Sequence, residues 1–199
     1  MKKLLFLLLS ITLLVSCKTD KKRMLDKIGP QEITIDGDTI FHKVVDFNLY
    51  NQNGEKVSIE KVRGKVHVAE FFFSRCPSIC PAMKTQMGRI QEAFKDVEDF
   101  HILSFTVDPE NDTIQKLSEY AEHLGVLNSK WDLLTGSPFQ LQNVASRGYY
   151  QLALEDTLSL NHSQNFVLVD KDLHIRGLYN GIDSLEVDTL IMDIKRLLK

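Results

Sequence analysis

The chain has 199 residues, and 43% of them are hydrophobic, enough to fill one compact core of ordinary size. It carries 24 lysines and arginines against 27 aspartates and glutamates, a net charge of −3, and it has no long basic run. This balance argues against a nucleic-acid-binding protein, and no internal repeat or low-complexity tract is present.

The first 16 residues have the pattern of an export signal. A short basic start precedes an apolar run over residues 4–15, which is too short to span a bilayer comfortably. The run ends in Leu14-Val15-Ser16-Cys17, which resembles the lipobox of bacterial lipoproteins. That resemblance implies cleavage before Cys17, a lipid on its sulfur, and a domain held at a membrane of the cell envelope, outside the cytoplasm. The plainer interpretation is an ordinary signal peptide followed by an incidental cysteine.

The rest of the chain divides into a tether and one domain. Residues 17–30 are polar and charged with few side chains to pack, which predicts a lipidated N-terminus and tether. Residues 31–199 suit a single domain. Near its start, Asp36-Gly37 and Asn53-Gly54 are each flanked by short alternating segments, which predicts two β-hairpins without evident chemistry.

An alternation of strands and helices follows the hairpins. Residues 66–73 form an apolar run typical of a buried central strand. Pro81 then opens a helix whose Met83, Met87, Ile90 and Phe94 recur on one face. Further strands are predicted near residues 100–107, 131–134, 165–169 and 174–179, and further helices near residues 114–123, 138–146 and 187–198. This order predicts an α/β, thioredoxin-like fold with an N-terminal β-hairpin addition.

Two cysteines lie between the first core strand and its helix. If Cys17 is lipidated, Cys76 and Cys80 are the only cysteines left in the mature chain. A disulfide between them closes a very small loop, so a purely structural bridge explains little. A cysteine at a helix start is favoured as thiolate, which is both a nucleophile and a metal ligand. Three intervening residues, one more than in the usual redox pair, let both sulfurs face one atom but do not forbid a disulfide.

The prolines and a late histidine favour metal binding over redox chemistry. Thioredoxin-like oxidoreductases generally have a cis-proline just before the late strand, facing the cysteines. No proline stands there in this chain, and His162 occupies that region instead. Two thiolates and one imidazole make a soft, three-ligand site that suits Cu(I) or zinc, with an open position for ion transfer. A structural zinc site would use four ligands.

Other sulfur and carboxylate side chains have plainer interpretations than metal binding. Met83 and Met87 match the packing face of the helix better than a ligand pair. Asp108 and Asp112 could form a hard-cation site, but a role in a turn and a helix cap is favoured because Asp-Pro ends strands and Asp favours caps.

The remaining histidines are assigned no ligand role. His67 and His101 fall within core-strand patterns, which predicts buried histidines with satisfied partners. His42, His123 and His174 lie in surface-like settings.

Several motifs resemble the Sco/SenC family of copper-binding assembly factors for cytochrome c oxidase. The similarity runs from about residue 47 to the C-terminus. It is carried by Phe73-Ser-Arg-Cys76-Pro77-x-x-Cys80-Pro81, Thr106-Val-Asp108-Pro109-x-x-Asp112-Thr113, Leu134-Thr135-Gly136, His162-Ser163 before Leu168-Val169-Asp170, and Arg63-Gly64-Lys65. Two departures are Asn161, where an acidic residue is common, and Ser74 in place of threonine.

This resemblance implies a membrane-anchored copper metallochaperone. Cys76, Cys80 and His162 would bind one copper ion, as Cu(I), Cu(II) or both. The protein would deliver copper to an oxidase subunit, keep the cysteines of that subunit reduced, or do both, so a copper donor or a thiol reductant is a further expected partner. A thiol–disulfide oxidoreductase acting on an exported partner is the alternative, which leaves open whether the protein is an enzyme. A membrane-tethered sensor is a third hypothesis that no feature singles out.

Overall fold

The computed structural model describes residues 25–75, 80–151 and 163–199, without the side chain of Cys80. The signal peptide over residues 1–16, Cys17 and most of the predicted tether lie outside these residues. The strands are β1 (Gln31–Ile33), β2 (Thr39–Phe41), β3 (Asn48–Tyr50), β4 (Lys56–Ser58), β5 (Val66–Phe72), β6 (Phe100–Thr106), β7 (Trp131–Leu134), β8 (Asn165–Val169) and β9 (Ile175–Asn180). The helices are α1 (Cys80–Phe94), α2 (Ile114–Leu124), α3 (Pro138–Asn143), which continues as a wider turn over Val144–Gly148, and α4 (Ser184–Leu197).

Five strands form the central sheet, in the order β7-β6-β5-β8-β9. The first three are parallel to one another, whereas β8 runs antiparallel to both β5 and β9. The carboxyl end of β5 therefore lies at the same edge of the sheet as the start of β8. This placement sets the position of the candidate site.

Each face of the sheet buries its own apolar cluster, because successive side chains of a strand point to opposite faces. One cluster joins Val66, Val68 and Phe72 of β5 to buried side chains of α1, α2 and α4. The other joins Ala69 and Phe71 to β3, β4 and α3. The predicted helix face of Met83, Met87, Ile90 and Phe94 is buried in the first cluster, which confirms its packing role.

Both predicted hairpins are present. β1 pairs with β2 and β3 pairs with β4, in each case antiparallel. Gly37 and Gly54, in the connecting turns, have φ of 86° and 75°, which glycine adopts without steric cost. The β3–β4 hairpin packs Leu49 and Val57 into the core, whereas the isoleucines of the β1–β2 hairpin are exposed.

The surface assignment of His174 is wrong. This residue is only 6% exposed, and its Nδ1 lies 2.8 Å from the carbonyl oxygen of His42. The reason is that the chain before β3 crosses the β8–β9 turn, where the amide of Val44 donates to the carbonyl of Leu173 at 3.0 Å. None of the helices in the three described segments has the length and apolarity needed to cross a membrane.

Candidate metal centre

The thiol-bearing segment leaves the central strand of the sheet and enters a helix. β5 ends at Phe72, with β6 on one side and β8 on the other. Cys80 is the first residue of α1, one residue earlier than the predicted helix start at Pro81. Residues 76–79, including Cys76, lie outside the described residues. The positive end of the dipole of this 15-residue helix therefore lies at residue 80.

Asp112 holds the chain two residues before Cys76. The Ser74 amide donates to Asp112 Oδ2 at 3.1 Å, and the Ser74 hydroxyl donates to Asp112 Oδ1. The Thr106 hydroxyl, at the end of β6, donates to Asp112 Oδ2 at 2.5 Å. Asp112 is fully buried. The segment that leads from β5 toward Cys76 is therefore fixed to the carboxyl end of β6.

Asp108 makes a second connection to the same segment. Its carboxylate accepts from Arg75 Nε and Asn111 Nδ2, both at 2.8 Å, while its amide donates to Thr106 Oγ1 at 2.9 Å. The predicted turn role of Asp108 is confirmed, because the amides of Asn111 and Asp112 both donate to its carbonyl. Arg75 is 58% exposed, so this ion pair is screened by water.

The predicted cap role of Asp112 is wrong. Thr113 caps α2, and its side chain accepts from the amide of Lys116. Asp112 instead binds Ser74, which lies 38 residues earlier in the chain. Within the part of the chain that the structure describes, no group of three histidine, cysteine, aspartate or glutamate side chains could hold a metal ion.

The start of β8 lies beside the end of β5. In the antiparallel register, Ala69 is opposite Val167, so the chain enters β8 from the same edge of the sheet at which β5 ends. Ser163 Oγ accepts from the amide of Asn165 at 3.1 Å. His162 is outside the described residues, as is Cys76, so the three-ligand set of Cys76, Cys80 and His162 stays a prediction.

A buried ion pair lies between α1 and β5, and the sequence analysis missed it. Lys84, one turn after Cys80, pairs with Glu70 of β5, and both side chains are almost fully buried. Glu70 Oε1 also accepts from the Ser104 hydroxyl at 2.6 Å, and this hydroxyl accepts from Trp131 Nε1 at 2.8 Å. The sequence feature that could have indicated this ion pair is the glutamate, Glu70, within the apolar run of residues 66–73. The pair fixes the first turns of α1 against the strand that precedes Cys76.

The two core histidines lie at the opposite end of β5 and β6 from Ser74 and Thr106. His67 and His101 are register partners near the starts of β5 and β6. His67 Nε2 lies 3.0 Å from the Tyr149 hydroxyl, and His101 Nε2 lies 2.7 Å from Asp132 Oδ2. Burial, with a smaller contribution from the nearby His101, lowers the pKa of His67 to about 3. Burial also lowers the pKa of His101, against the opposing effect of Asp132. Their predicted burial is confirmed, but the predicted satisfaction of their polar atoms holds only for Nε2, because Nδ1 of each ring has no hydrogen-bond partner among the described residues.

Comparison with known proteins identifies what this architecture resembles. The SCO1/SenC family profile matches residues 37–199. The SCO1 protein homolog of Bacillus subtilis (strain 168) is 33% identical over 171 residues, which cover 84% of this chain and 87% of that protein.

Solved structures give the same result. The structure of BsSco, described as having a disulfide switch and as a member of the Sco family of cytochrome c oxidase assembly proteins, is 32% identical. It superposes with a TM-score of 0.70 over 79% of this chain and 94% of that chain. Arabidopsis thaliana ScoI, solved with copper bound, is 26% identical, with a TM-score of 0.62 over 77% of this chain and 98% of that chain. These matches confirm the predicted thioredoxin-like α/β fold.

Proposed function

Because the chain belongs to the SCO1/SenC family, we propose that it binds one copper ion through Cys76, Cys80 and His162 and helps to assemble the copper centre of a respiratory oxidase. The main support is the sheet pairing of β5 with β8, which brings the segment after residue 162 alongside the strand that leads to Cys76. Copper bound to the Arabidopsis relative supports the choice of metal.

The ligand chemistry fits a copper carrier. Two thiolates and a neutral imidazole form a soft donor set that prefers Cu(I). Both thiols must lose their protons on binding, and the position of Cys80 at the start of α1 favours that ionisation. Three protein ligands leave a position open, through which the ion can pass to a receiving site on the oxidase subunit.

Copper loading of the full-length, reduced chain in detergent micelles tests the proposal. We expect one tightly bound Cu(I) per chain, lost in Cys76→Ala, Cys80→Ala and His162→Ala, with sulfur and nitrogen neighbours by X-ray absorption. His123→Ala, which removes an exposed histidine of α2, is the matched control and should bind as the wild type does. Undiminished copper binding by His162→Ala contradicts the three-ligand site.

The anchoring proposal concerns the N-terminal residues. Residues 1–16 would be removed as a signal peptide, and Cys17 would carry the lipid that holds the domain in the cell envelope, outside the cytoplasm. The tether would be shorter than the predicted residues 17–30, because Leu25 packs against the core and Ile28 pairs with Ile175 of β9. The support is the apolar run followed by Leu14-Val15-Ser16-Cys17. Mass spectrometry of the mature chain should find a lipidated N-terminal Cys17, and Cys17→Ser should release the protein from membranes. A mature chain that retains residues 1–16 contradicts this assignment.

The alternative function is reduction of disulfides in an exported partner, and the disulfide switch described for BsSco favours it. One thiolate would attack the partner disulfide, and the second thiolate would resolve the mixed disulfide. The products are a Cys76–Cys80 disulfide and the reduced partner, so an external dithiol, or two equivalents of a monothiol, must return two electrons for the next cycle and is itself oxidised to a disulfide. Multiple turnovers of a peptide disulfide with such a thiol, blocked by one equivalent of Cu(I), would support the alternative. A single turnover without recycling would favour the carrier.

A further inference from the structure

Asp112 is a buried carboxylate whose hydrogen bonds are not needed to cap α2 or to close its own loop. Thr113 already caps α2, and the turn at Asp108 is closed by backbone hydrogen bonds. Among the described residues, the donors to the Asp112 carboxylate are the Ser74 amide, the Ser74 hydroxyl and the Thr106 hydroxyl, which are neutral groups. Burying a carboxylate among neutral donors is costly unless each hydrogen bond is strong.

These hydrogen bonds act on the chain directly before the first thiol. Ser74 is held at both its backbone and its side chain, so its position and its orientation are fixed relative to Thr106, the last residue of β6. Cys76 follows two residues later. At the other end of the turn, the ion pair of Lys84 with Glu70 fixes the first turns of α1. Buried charged groups therefore fix the described chain on both sides of residues 76–79.

The connection through Asp108 is weaker. It reaches the segment only through Arg75, whose side chain is 58% exposed, and exposed ion pairs contribute little. Asp112 is 0% exposed and its hydrogen bonds are shielded from water. Partners that orient metal ligands from outside the coordination shell commonly change metal affinity by about 10- to 100-fold when they are removed.

We propose that Asp112 is a positioning residue of the copper centre, because its carboxylate holds the backbone and side chain of Ser74, two residues before Cys76 in the sequence. The inference rests on the proposed copper-binding function. It predicts that the Ser74 hydroxyl matters and that threonine, which keeps this hydroxyl, can replace serine.

The test compares four variants of the full-length, reduced chain in competition with a chromophoric Cu(I) chelator. Asp112→Asn leaves one acceptor oxygen in place of two, so we expect Cu(I) to bind about tenfold more weakly. Ser74→Ala should also lower the affinity for Cu(I), and Ser74→Thr should retain the wild-type affinity. Asp132→Asn is the matched control, since Asp132 is equally buried and hydrogen-bonded but contacts His101 and Asn51. It should lose stability and keep its copper affinity.

A second readout separates positioning from folding. In the Cu(II)-loaded protein, the thiolate-to-copper charge-transfer absorption depends on ligand geometry. It should change in Asp112→Asn well below the unfolding temperature and stay unchanged in Asp132→Asn.

Wild-type affinity and absorption in a folded Asp112→Asn chain would overturn the inference while leaving the proposed function intact. Equal losses in Asp112→Asn and Asp132→Asn would overturn it as well, because the effect would then be a general loss of stability. If Asp112→Asn does not fold, Ser74→Ala decides, and unchanged affinity there refutes the inference. A wild-type chain that binds no copper would refute both, and would identify the proposed function as the part that failed.

Discussion

Acid should destabilise this fold through His67, which is fully buried in its neutral form. The pKa of His67 falls to about 3, because burial disfavours the cation and the nearby His101 adds to that effect, while Asp170 opposes it. An unfolded histidine titrates at a pKa of about 6.5. Below that pH the unfolded chain binds a proton that the folded chain excludes. The contribution of neutral His67 to the free energy of unfolding is therefore complete above pH 6.5 and is lost as the pH falls toward 3.

The size of this effect follows from the two pKa values. At pH 5, the histidine is protonated in the unfolded chain and neutral in the folded chain. Because pH 5 lies about 1.5 units below the unfolded pKa, the free energy of unfolding is lower by about 2 kcal/mol than at neutral pH. His67→Gln removes the titrating ring. This variant should lose about 2 kcal/mol less than the wild type between pH 7.5 and pH 5.

Urea unfolding at each pH measures this difference directly, with tryptophan fluorescence from the buried Trp131 as the signal. His123→Gln, at an exposed position on α2, is the control and should show the wild-type pH dependence. Equal pH dependence in His67→Gln and the wild type would refute the reasoning, since the burial of a neutral His67 would then carry no linked proton.

Three further predictions concern stability. Lys84→Met should lower the free energy of unfolding by about 3–5 kcal/mol, because it leaves the buried Glu70 unpaired. The double variant Lys84→Met/Glu70→Gln should recover most of this loss. A double variant as unstable as the single one contradicts this account. Gly136→Ala should lower the free energy of unfolding by about 1–3 kcal/mol, since its Cβ would lie 2.5 Å from the side chain of a buried leucine. Gly88→Ala, with open space around it in α1, should raise the free energy of unfolding by about 0.5–1 kcal/mol. Chemical denaturation of the two variants checks both signs. Thr113→Ala should cost about 1 kcal/mol through loss of the α2 cap, and thermal unfolding that matches the wild type would exclude a capping role.

The sequence was sufficient to predict the features that depend on local pattern. Glycine-containing turns predicted the two hairpins, and the spacing from Met83 to Phe94 predicted the buried face of α1, because hairpin and helix signals span only a few residues. The motif residues Asp108 and Asp112 were found as well, from their position after a buried strand.

The contacts that the sequence could not provide are those between distant segments. Lys84 resembles an ordinary solvent-exposed helix residue until the structure places Glu70 beneath it. Asp112 has the position of a helix cap, and only the pairing of β5 with β6 brings Ser74 within reach of it. His174 was misassigned for the same reason, because the segment that covers it comes from the start of the domain.

The pairing of β5 with β8 also constrains the order of events during maturation. In this antiparallel pair His67 lies opposite Val169, which is 102 residues later, so the two strands meet only after nearly the whole domain has been synthesised. Pairings between such distant segments are slow to form, because a long loop must close first. If the proposed function holds, the two cysteine ligands of a nascent chain are synthesised, and can bind copper, long before the histidine ligand is in place. Full coordination would then mark a finished fold, and a partner that reads the complete centre would accept only mature protein.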